Sequence, residues 1–308
     1  MARTVSRRSF APVMAFFLAF AALTTSGIAR PQAVGAVTIE CPPPASPAAA
    51  AAAATTAPAA EASPVAFPSG GGELTVFAAA SLTDSFNKIK TDLEAANPGL
   101  TITYNFAGSQ ALVTQMEQGA KADVFASANL TQMNAARDKD LVEGDAPVFV
   151  QNSLVIIVPK DNPAGIQTPA DLAKPGVKLD LAQESVPVGQ YARLSFCAMG
   201  QDTATYGEGF VDKVAANVVS EEDNVKAVVT KVSTGEADAG VVYVTDVTPD
   251  VADSLQQIEI PAEVNPIAQY PIAAVKGGKT DLAQALIDYV LGPEGQATLQ
   301  SYGFQPKP

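Results

Sequence analysis

Three turns in the sequence bring small, uncharged residues to the start of a predicted helix, directly after a predicted strand. Ser81 follows residues 77–80, and Ser109 follows residues 106–108. The third turn spans residues 186–192. The first N–H groups of a helix lack partners within the helix and carry a partial positive charge, so such turns attract anions. This arrangement predicts a site of hydrogen-bond donors that holds a small anion.

Each serine also has a simpler interpretation, because serine is a favoured N-cap residue whether or not a ligand binds. Two such turns in succession, with no charged side chain in either, favour the binding site. A hydrogen bond to a charged group contributes about 1.5–3 kcal/mol. We therefore expect that about four to seven such bonds would offset the desolvation of an anion.

Alternating strands and helices must position these turns. Apolar runs predict strands at residues 74–79, 101–106, 122–126, 154–158, 177–182, 239–244, 257–260 and 272–275. Apolar residues at helical spacing predict helices at residues 82–96, 110–118, 130–139, 189–199, 224–233, 281–291 and 294–301. The alternation is typical of mostly parallel sheets flanked by helices, and the number of strands favours two α/β lobes over one. Ligands of such sheets bind beyond the carboxyl ends of the strands, where the three turns lie.

The composition excludes several classes of function. The chain has 308 residues, 47% of them hydrophobic, which is enough for one large domain or two ordinary ones. The formal net charge of −13 argues against nucleic acid as a partner. The absence of histidine excludes Ser-His-Asp and Cys-His catalysis, histidine-ligated zinc and ordinary haem ligation. No cofactor is expected, and no protein group is expected to bind a metal directly.

The N-terminal region is predicted to direct export. Residues 1–29 combine a basic start with an apolar run and small residues, as an export signal does. Residues 6–10 resemble a twin-arginine signal, and an ordinary secretory signal with two arginines is the alternative. Residues 30–72 are rich in Pro, Ala and Gly and predict a flexible linker. An extracytoplasmic location follows, with the linker available as a membrane tether.

The two cysteines leave alternatives open. Cys41 stands just before the Pro/Ala-rich part of the linker and could carry a lipid, although the residues before it do not match a lipobox. A disulfide between Cys41 and Cys197 is the other use of this residue. Cys197 lies in the apolar stretch 194–199, which favours a buried and inert thiol.

Eight segments between about residues 74 and 304 occur together in the order found in one protein family. They are residues 77–83, 106–109, 122–128, 152–155, 186–192, 222–225, 239–243 and 270–273. Through these segments the chain resembles the periplasmic molybdate-binding proteins of ABC importers. The resemblance implies a type II periplasmic-binding-protein fold with the ligand in the cleft between two lobes. Lobe I would comprise residues 73–152 and 269–308, and lobe II residues 153–268.

The resemblance also implies which residues bind the oxyanion. Hydroxyl and backbone N–H groups would come from lobe I, backbone N–H groups from the start of two helices in lobe II, and one hydroxyl from a tyrosine. The residues at the matching positions are Ser81, Ser109, Ala192, Val225 and Tyr243.

Two neighbours of these residues qualify the match. The family often has Glu-Asp-Val where this chain has residues 222–225, so the donor could also be Asn224. Arg193 is adjacent to Ala192 and is expected on the surface.

The predicted function is an extracytoplasmic solute-binding protein, not an enzyme. It would capture molybdate and tungstate as a monomer and deliver them to an ABC permease with its ATPase. Two alternatives stay open. One is a binding protein for sulfate or phosphate, and the other is a secreted hydrolase of phosphate or sulfate esters, which would need a nucleophile with a base or clustered metal ligands.

Overall fold

The computed structural model describes residues 37–43, 65 and 67–308, and these residues form two β-sheets flanked by helices. The strands are β1 (Gly72–Ala79), β2 (Leu100–Ala107), β3 (Val124–Ala126), β4 (Val142–Glu143), β5 (Val148–Asn152), β6 (Leu154–Pro159), β7 (Leu179–Ala182), β8 (Val218–Glu222), β9 (Ala239–Tyr243), β10 (Leu255–Glu259), β11 (Ala268–Val275) and β12 (Gln305–Pro306).

Ten α-helices lie in the described part of the chain. They are α1 (Thr83–Ala96), α2 (Ser109–Glu117), α3 (Leu130–Asp138), α4 (Pro187–Gln201), α5 (Thr203–Tyr206), α6 (Phe210–Ala216), α7 (Val225–Ser233), α8 (Pro249–Ala252), α9 (Thr280–Leu291) and α10 (Pro293–Ser301). Short 3-10 turns occur at Ala80–Leu82, Pro169–Ala173, Val244–Asp246 and Ala262–Val264. None of the helices in the described ranges has the length and apolar character needed to cross a membrane.

The two sheets define two lobes. Lobe I is built on a seven-stranded sheet with the order β12-β5-β11-β3-β1-β2, in which β4 also pairs with β11. Lobe II is built on a five-stranded sheet with the order β10-β6-β9-β7-β8. The chain passes from lobe I to lobe II between β5 and β6 and returns before β11. The predicted two-lobed α/β fold is confirmed.

The sheets are mixed, whereas the sequence predicts mostly parallel ones. In lobe I, β1 pairs in parallel with β2 and β3, but β11 runs antiparallel to β3, β4 and β5. In lobe II, β7 pairs in parallel with β8 and β9, but β6 runs antiparallel to β9 and β10. Parallel neighbours need a crossover connection, usually a helix. The strands that follow the two crossings between the lobes, β6 and β11, are not preceded by such a crossover connection. They therefore run antiparallel to their neighbours.

Apolar periodicity explains the elements that the sequence predicts well. In α1, Phe86, Ile89 and Leu93 recur at helical spacing and are almost completely buried. Every residue of β6 is buried, as a continuous apolar run predicts. The sequence gives no comparable signal for β8, because this strand is polar and only partly buried.

The N-terminal part of the described chain is tied to lobe II. Cys41 and Cys197 form a disulfide across 156 residues, so Cys197 is not the inert thiol that its apolar surroundings predict. Within the predicted linker, Phe67 is 8% exposed and packs in the core. The core therefore begins before β1. The predicted export signal, residues 1–29, and most of the predicted linker lie outside the described residues.

Candidate functional site

A small cavity lies where both lobes present the starts of helices. The lining residues are small or apolar apart from three hydroxyls. Lobe I contributes Ala79, Ala80, Ser81, Ala107, Gly108, Ser109 and Ala128, and lobe II contributes Val186, Pro187, Val188, Val225 and Tyr243.

In lobe I, two serines reach the cavity at turns that lead from a strand into a helix. β1 ends at Ala79 and leads into a 3-10 turn that contains Ser81, while β2 leads through Gly108 into α2, which begins at Ser109. Both serines are buried. The Oγ of Ser109 accepts a hydrogen bond from the backbone N–H of Ala128 at 3.1 Å. Lobe I is therefore held in place by its own hydrogen bonds.

Gly108 allows the lobes to approach each other at the cavity. A Cβ at this position would lie 2.5 Å from the carbonyl oxygen of Asp223 in lobe II. Real Cβ atoms do not come so close to backbone, so a larger residue would push the lobes apart.

Lobe II directs helix N-terminal N–H groups at the cavity. α4 begins at Pro187, and the N–H of Gln190 already bonds the carbonyl of Val186 at 2.9 Å. The N–H groups of Val188 and Gly189 lie before that first helical bond, so the helix provides no acceptor for them. Val188 lines the cavity.

The second helix of lobe II that reaches the cavity is α7. Asn224 is its N-cap, and the Oδ1 of Asn224 accepts from the N–H of Ala227 at 3.1 Å. Val225 is the first residue of the helix, and its N–H has no acceptor within the helix. Val225 lines the cavity, whereas Asn224 does not. The register that places Val225 at the site therefore fits the structure better than the alternative at Asn224.

The structure does not bring Ala192 to the cavity. This residue lies on the second turn of α4, where N–H groups bond carbonyls of the preceding turn. The sequence predicts the start of this helix at residue 189, and the structure begins it at Pro187. Proline is common at the first position of a helix, and a helix that starts at Pro187 leaves the N–H of Val188 without an acceptor in the helix.

Tyr243 contributes a hydroxyl that has no hydrogen-bond partner among the described residues. It is the last residue of β9 and is 1% exposed. Among the described residues, no group makes a hydrogen bond of normal geometry with its Oη, although the hydroxyl of Tyr270 is close enough to influence its pKa. Burial raises the pKa of Tyr243 well above its ordinary value, so the hydroxyl keeps its proton. A buried donor without an acceptor is rare in folded proteins, and it indicates that something else binds there.

No charged side chain lines the cavity. Arg193, which the sequence places on the surface, is 5% exposed inside lobe II. Its guanidinium donates to the carbonyls of Ala182 at 2.9 Å and Gly189 at 2.8 Å, and it forms an ion pair with Glu221. Glu221 lies on β8, a strand that no sequence pattern predicts, so the ion pair between Arg193 and Glu221 could not be predicted from the sequence.

The lobes are joined by side-chain hydrogen bonds around the cavity. The amide of Gln110 donates to the carbonyl of Asp223 at 2.9 Å, and the amide of Asn129 donates to the side chain of Gln190 at 2.8 Å. Each bond joins a residue of lobe I to a residue of lobe II. The structure therefore shows the lobes in contact across the cleft.

An ion pair adds to this contact. The ammonium of Lys226 lies 2.9 Å from the carboxylate of Asp84 in lobe I and 3.8 Å from that of Asp246 in lobe II. Asp246 is completely buried, and burial raises its pKa to about 6 although the positive charge of Lys226 opposes this rise. Lys226 follows Val225 directly, so the ion pair holds α7 against lobe I.

Comparison with known proteins places this architecture in a family. The family model described as bacterial extracellular solute-binding protein matches residues 74–305. The chain belongs to this family. It is 37% identical over 243 residues to the molybdate-binding protein ModA of Mycobacterium tuberculosis, a match that covers 79% of the chain and 88% of that relative. The resemblance inferred from the sequence segments is thereby confirmed.

More distant relatives share the fold of this solute-binding protein. The structure of the periplasmic molybdate-binding protein of Azotobacter vinelandii superposes with a TM-score of 0.65 at 17% identity, covering 75% of this chain and 98% of that one. The sulfate-binding protein of Synechococcus elongatus is 26% identical over 230 residues, covering 68% of this chain and 65% of that relative. These relatives bind solutes, and none of them is named as an enzyme.

Proposed function

We propose that this protein binds molybdate and tungstate as unprotonated tetrahedral dianions in the cavity between the lobes. The observation that carries this proposal is the unpartnered hydroxyl of Tyr243 in a cavity that also receives helix N-terminal N–H groups. All these groups donate hydrogen bonds, and an oxyanion is made of acceptors. The similarity to the Mycobacterium tuberculosis relative supports the choice of molybdate.

Five groups form the proposed donor set. They are the hydroxyls of Ser81, Ser109 and Tyr243 and the backbone N–H groups of Val188 and Val225. Each hydrogen bond to the anion would contribute about 1.5–3 kcal/mol. The helix N-termini add a favourable field without a fixed positive charge. The protein would hold the molybdenum through oxygen atoms and would supply no direct ligand to the metal.

Selectivity would come from the donor set and from size. A protonated anion such as hydrogen phosphate brings an O–H group to a site of donors and leaves one of them unpaired, which is strongly unfavourable. Sulfate carries the same charge as molybdate but is smaller, so its contacts would be longer. The sulfate-binding relative makes sulfate the second candidate ligand.

A hydrolase is disfavoured by the composition of the cavity. Ester hydrolysis needs a nucleophile with a neighbouring base or a cluster of metal ligands. The chain contains no histidine, and none of the residues that line the cavity is acidic. The described part of the chain also shows no group of three or more metal-binding side chains.

The biological setting of the proposal is import. We propose that the protein acts outside the cytoplasm as a monomer and delivers the anion to an ABC permease with its ATPase. The family description supports an extracellular location. Closure of the lobes would create the surface that the permease recognises, because the lobes meet through specific hydrogen bonds around the cavity.

Titration calorimetry tests the proposed ligand. The full chain, purified with its disulfide intact, would be titrated with molybdate, tungstate, sulfate and phosphate under one set of conditions. We expect one site per chain, with molybdate and tungstate bound at least about 100-fold more tightly than sulfate and phosphate. Tighter binding of sulfate would identify the second candidate as the ligand. No binding of any of the four would contradict the proposed site.

A further inference from the structure

We propose that Tyr270 and Asn152 are positioning residues that fix the hydroxyl of Ser81 as a donor toward the bound anion. Through this effect they would determine the preference for anions without a proton. The inference rests on the proposed function, because it concerns the same site. Neither Tyr270 nor Asn152 lines the cavity. They act on the anion through Ser81.

The orientation of the Asn152 side chain follows from a backbone contact. The backbone N–H of Ser153 lies 3.0 Å from Oδ1 of Asn152, and a backbone N–H can only donate. The oxygen of the amide must therefore face Ser153. The two N–H bonds of Nδ2 then point to the hydroxyls of Thr245 at 2.8 Å and Tyr270 at 3.4 Å.

The direction of the next hydrogen bond follows from this orientation. Tyr270 is completely buried, and its Oη accepts from Asn152. Its own proton needs a different acceptor, and Oγ of Ser81 lies 3.0 Å away. If Ser81 donated to Tyr270 instead, the only other hydroxyl near the Tyr270 proton would be that of Tyr243, which makes no hydrogen bond of normal geometry with any described residue. The satisfied arrangement is the one in which Tyr270 donates to Ser81.

The hydroxyl proton of Ser81 is thereby directed away from Tyr270. Ser81 lines the cavity, so this proton is available to an oxygen of the anion. Burial raises the pKa of Tyr270 well above its ordinary value, so the proton on which this order depends is retained. An unprotonated oxygen accepts from Ser81, whereas the O–H of a protonated anion meets a donor.

This series of hydrogen bonds starts where the chain crosses from lobe I to lobe II. Asn152 ends β5, and the chain enters lobe II with β6. Thr245, which receives the other N–H of Asn152, belongs to lobe II. The backbone at the crossing therefore sets the direction of donors in the site, in a way that the cavity residues alone do not reveal.

The test measures anion selectivity in Tyr270→Phe. Dissociation constants for molybdate and for phosphate would be measured by calorimetry on the full chain at a single pH, with phosphate also measured by competition against molybdate. Without its donor, Ser81 becomes free to accept from a protonated oxygen. We expect about 10-fold weaker binding of molybdate and unchanged or tighter binding of phosphate, so the ratio of the two constants falls at least about 10-fold.

Tyr104→Phe is the matched control. The hydroxyl of Tyr104 is buried, has no partner in the described part of the chain, and lies on β2 rather than at the cavity. Its removal should leave the ratio of the molybdate and phosphate constants unchanged. A loss of selectivity in both variants would point to a general loosening of lobe I and would overturn the inference.

A second variant, Asn152→Asp, should reverse the donor-to-acceptor direction of these hydrogen bonds. A carboxylate at this position accepts from Tyr270, so Tyr270 would accept from Ser81 and turn the lone pairs of Ser81 toward the anion. We expect a loss of molybdate affinity of about 100-fold, with a smaller effect on phosphate. Thermal unfolding of each variant without ligand would show that the fold is intact.

The possible failures are distinguishable. A wild-type chain that binds no molybdate overturns the proposed function and this inference with it. A wild-type chain that binds molybdate, with Tyr270→Phe weakening molybdate and phosphate equally, overturns the inference and leaves the function standing. Phosphate binding that stays undetectable in both variants also overturns it.

Discussion

The two lobes differ in whether the hydroxyl groups that they bring to the cavity already have hydrogen-bond partners in the protein. In lobe I, Ser81 and Ser109 already have hydrogen-bond partners within their own lobe. In lobe II, the hydroxyl of Tyr243 is buried and has none. Of the seven buried side-chain atoms without a partner in the described part of the chain, five belong to lobe II. Of these lobe II atoms, only the hydroxyl of Tyr243 belongs to a residue that lines the cavity, and it is the group that a ligand would satisfy.

The largest expected effect concerns a buried carboxyl of lobe II. Asp180 is completely buried, neither of its oxygens makes a hydrogen bond of normal geometry with a described residue, and burial together with the charge of Glu222 raises its pKa to about 7. A raised pKa in the folded state means that stability is fully present below the unfolded pKa of about 4 and is lost as pH rises to about 7.

The measurement is the free energy of unfolding of the wild type and of Asp180→Asn between pH 5 and pH 8. We expect the wild type to lose about 2–3 kcal/mol relative to the variant over this range. Denaturant unfolding at each pH gives the difference. If the unfolding free energies of the two proteins changed with pH in parallel, Asp180 would not titrate in this range. The buried carboxyl would then not destabilise lobe II as its lack of partners indicates.

The next effect isolates a backbone donor of lobe II. Val225→Pro removes the N–H at the first position of α7, where proline is well tolerated. Asn224 before it is extended, with φ −158° and ψ 166°, which is the conformation that a residue before proline prefers. We expect molybdate binding to weaken by about 10- to 150-fold with a small change in stability.

Val225→Ala is the control for this variant, because it shortens the same side chain and keeps the N–H. Calorimetric titration of both variants separates the two contributions. An affinity loss of the same size in both would assign the effect to packing and remove the backbone of α7 from the donor set.

Tyr243→Phe tests the difference between the lobes at a single side chain. The hydroxyl has no hydrogen-bond partner in the part of the chain that the structure describes, so its removal should leave the unfolding free energy without ligand unchanged or slightly raised. We expect molybdate binding to weaken by about 10- to 100-fold. A clear loss of stability without ligand would mean that Tyr243 bonds within the protein and is not held ready for the anion.

Ser109→Ala should differ from Tyr243→Phe in lowering the stability without ligand, which is the smallest of the expected effects. The variant leaves the buried N–H of Ala128 without its acceptor, so we expect the unfolding free energy without ligand to fall by about 1–2 kcal/mol. Thermal or denaturant unfolding measures this loss. Equal stability of Ser109→Ala and the wild type would contradict the view that lobe I is already satisfied.

Local sequence signals account for part of the site. Ser81 and Ser109 stand at turns between a strand and a helix that local patterns reveal, whereas Tyr243 and Val225 are expected only from the resemblance to the family. The structure brings these four residues to one cavity. Ala192 does not line the cavity, because α4 begins at Pro187, two residues before the start that the sequence predicts.

Contacts between distant segments could not be foreseen in the same way. The bond between Asn152 and Tyr270 joins residues 118 positions apart, and it depends on how the chain crosses between the lobes. The disulfide of Cys41 joins a segment before the folded body to a helix of lobe II. Neither contact leaves a periodic or local pattern in the sequence.

The most direct test of the central claim is the affinity of molybdate for the wild type and for Tyr243→Phe, measured together with their unfolding free energies without ligand. We expect one molybdate per wild-type chain, binding that is about 10- to 100-fold weaker in the variant, and equal stability of the two proteins without ligand. Equal molybdate affinity of the two proteins would contradict the central claim.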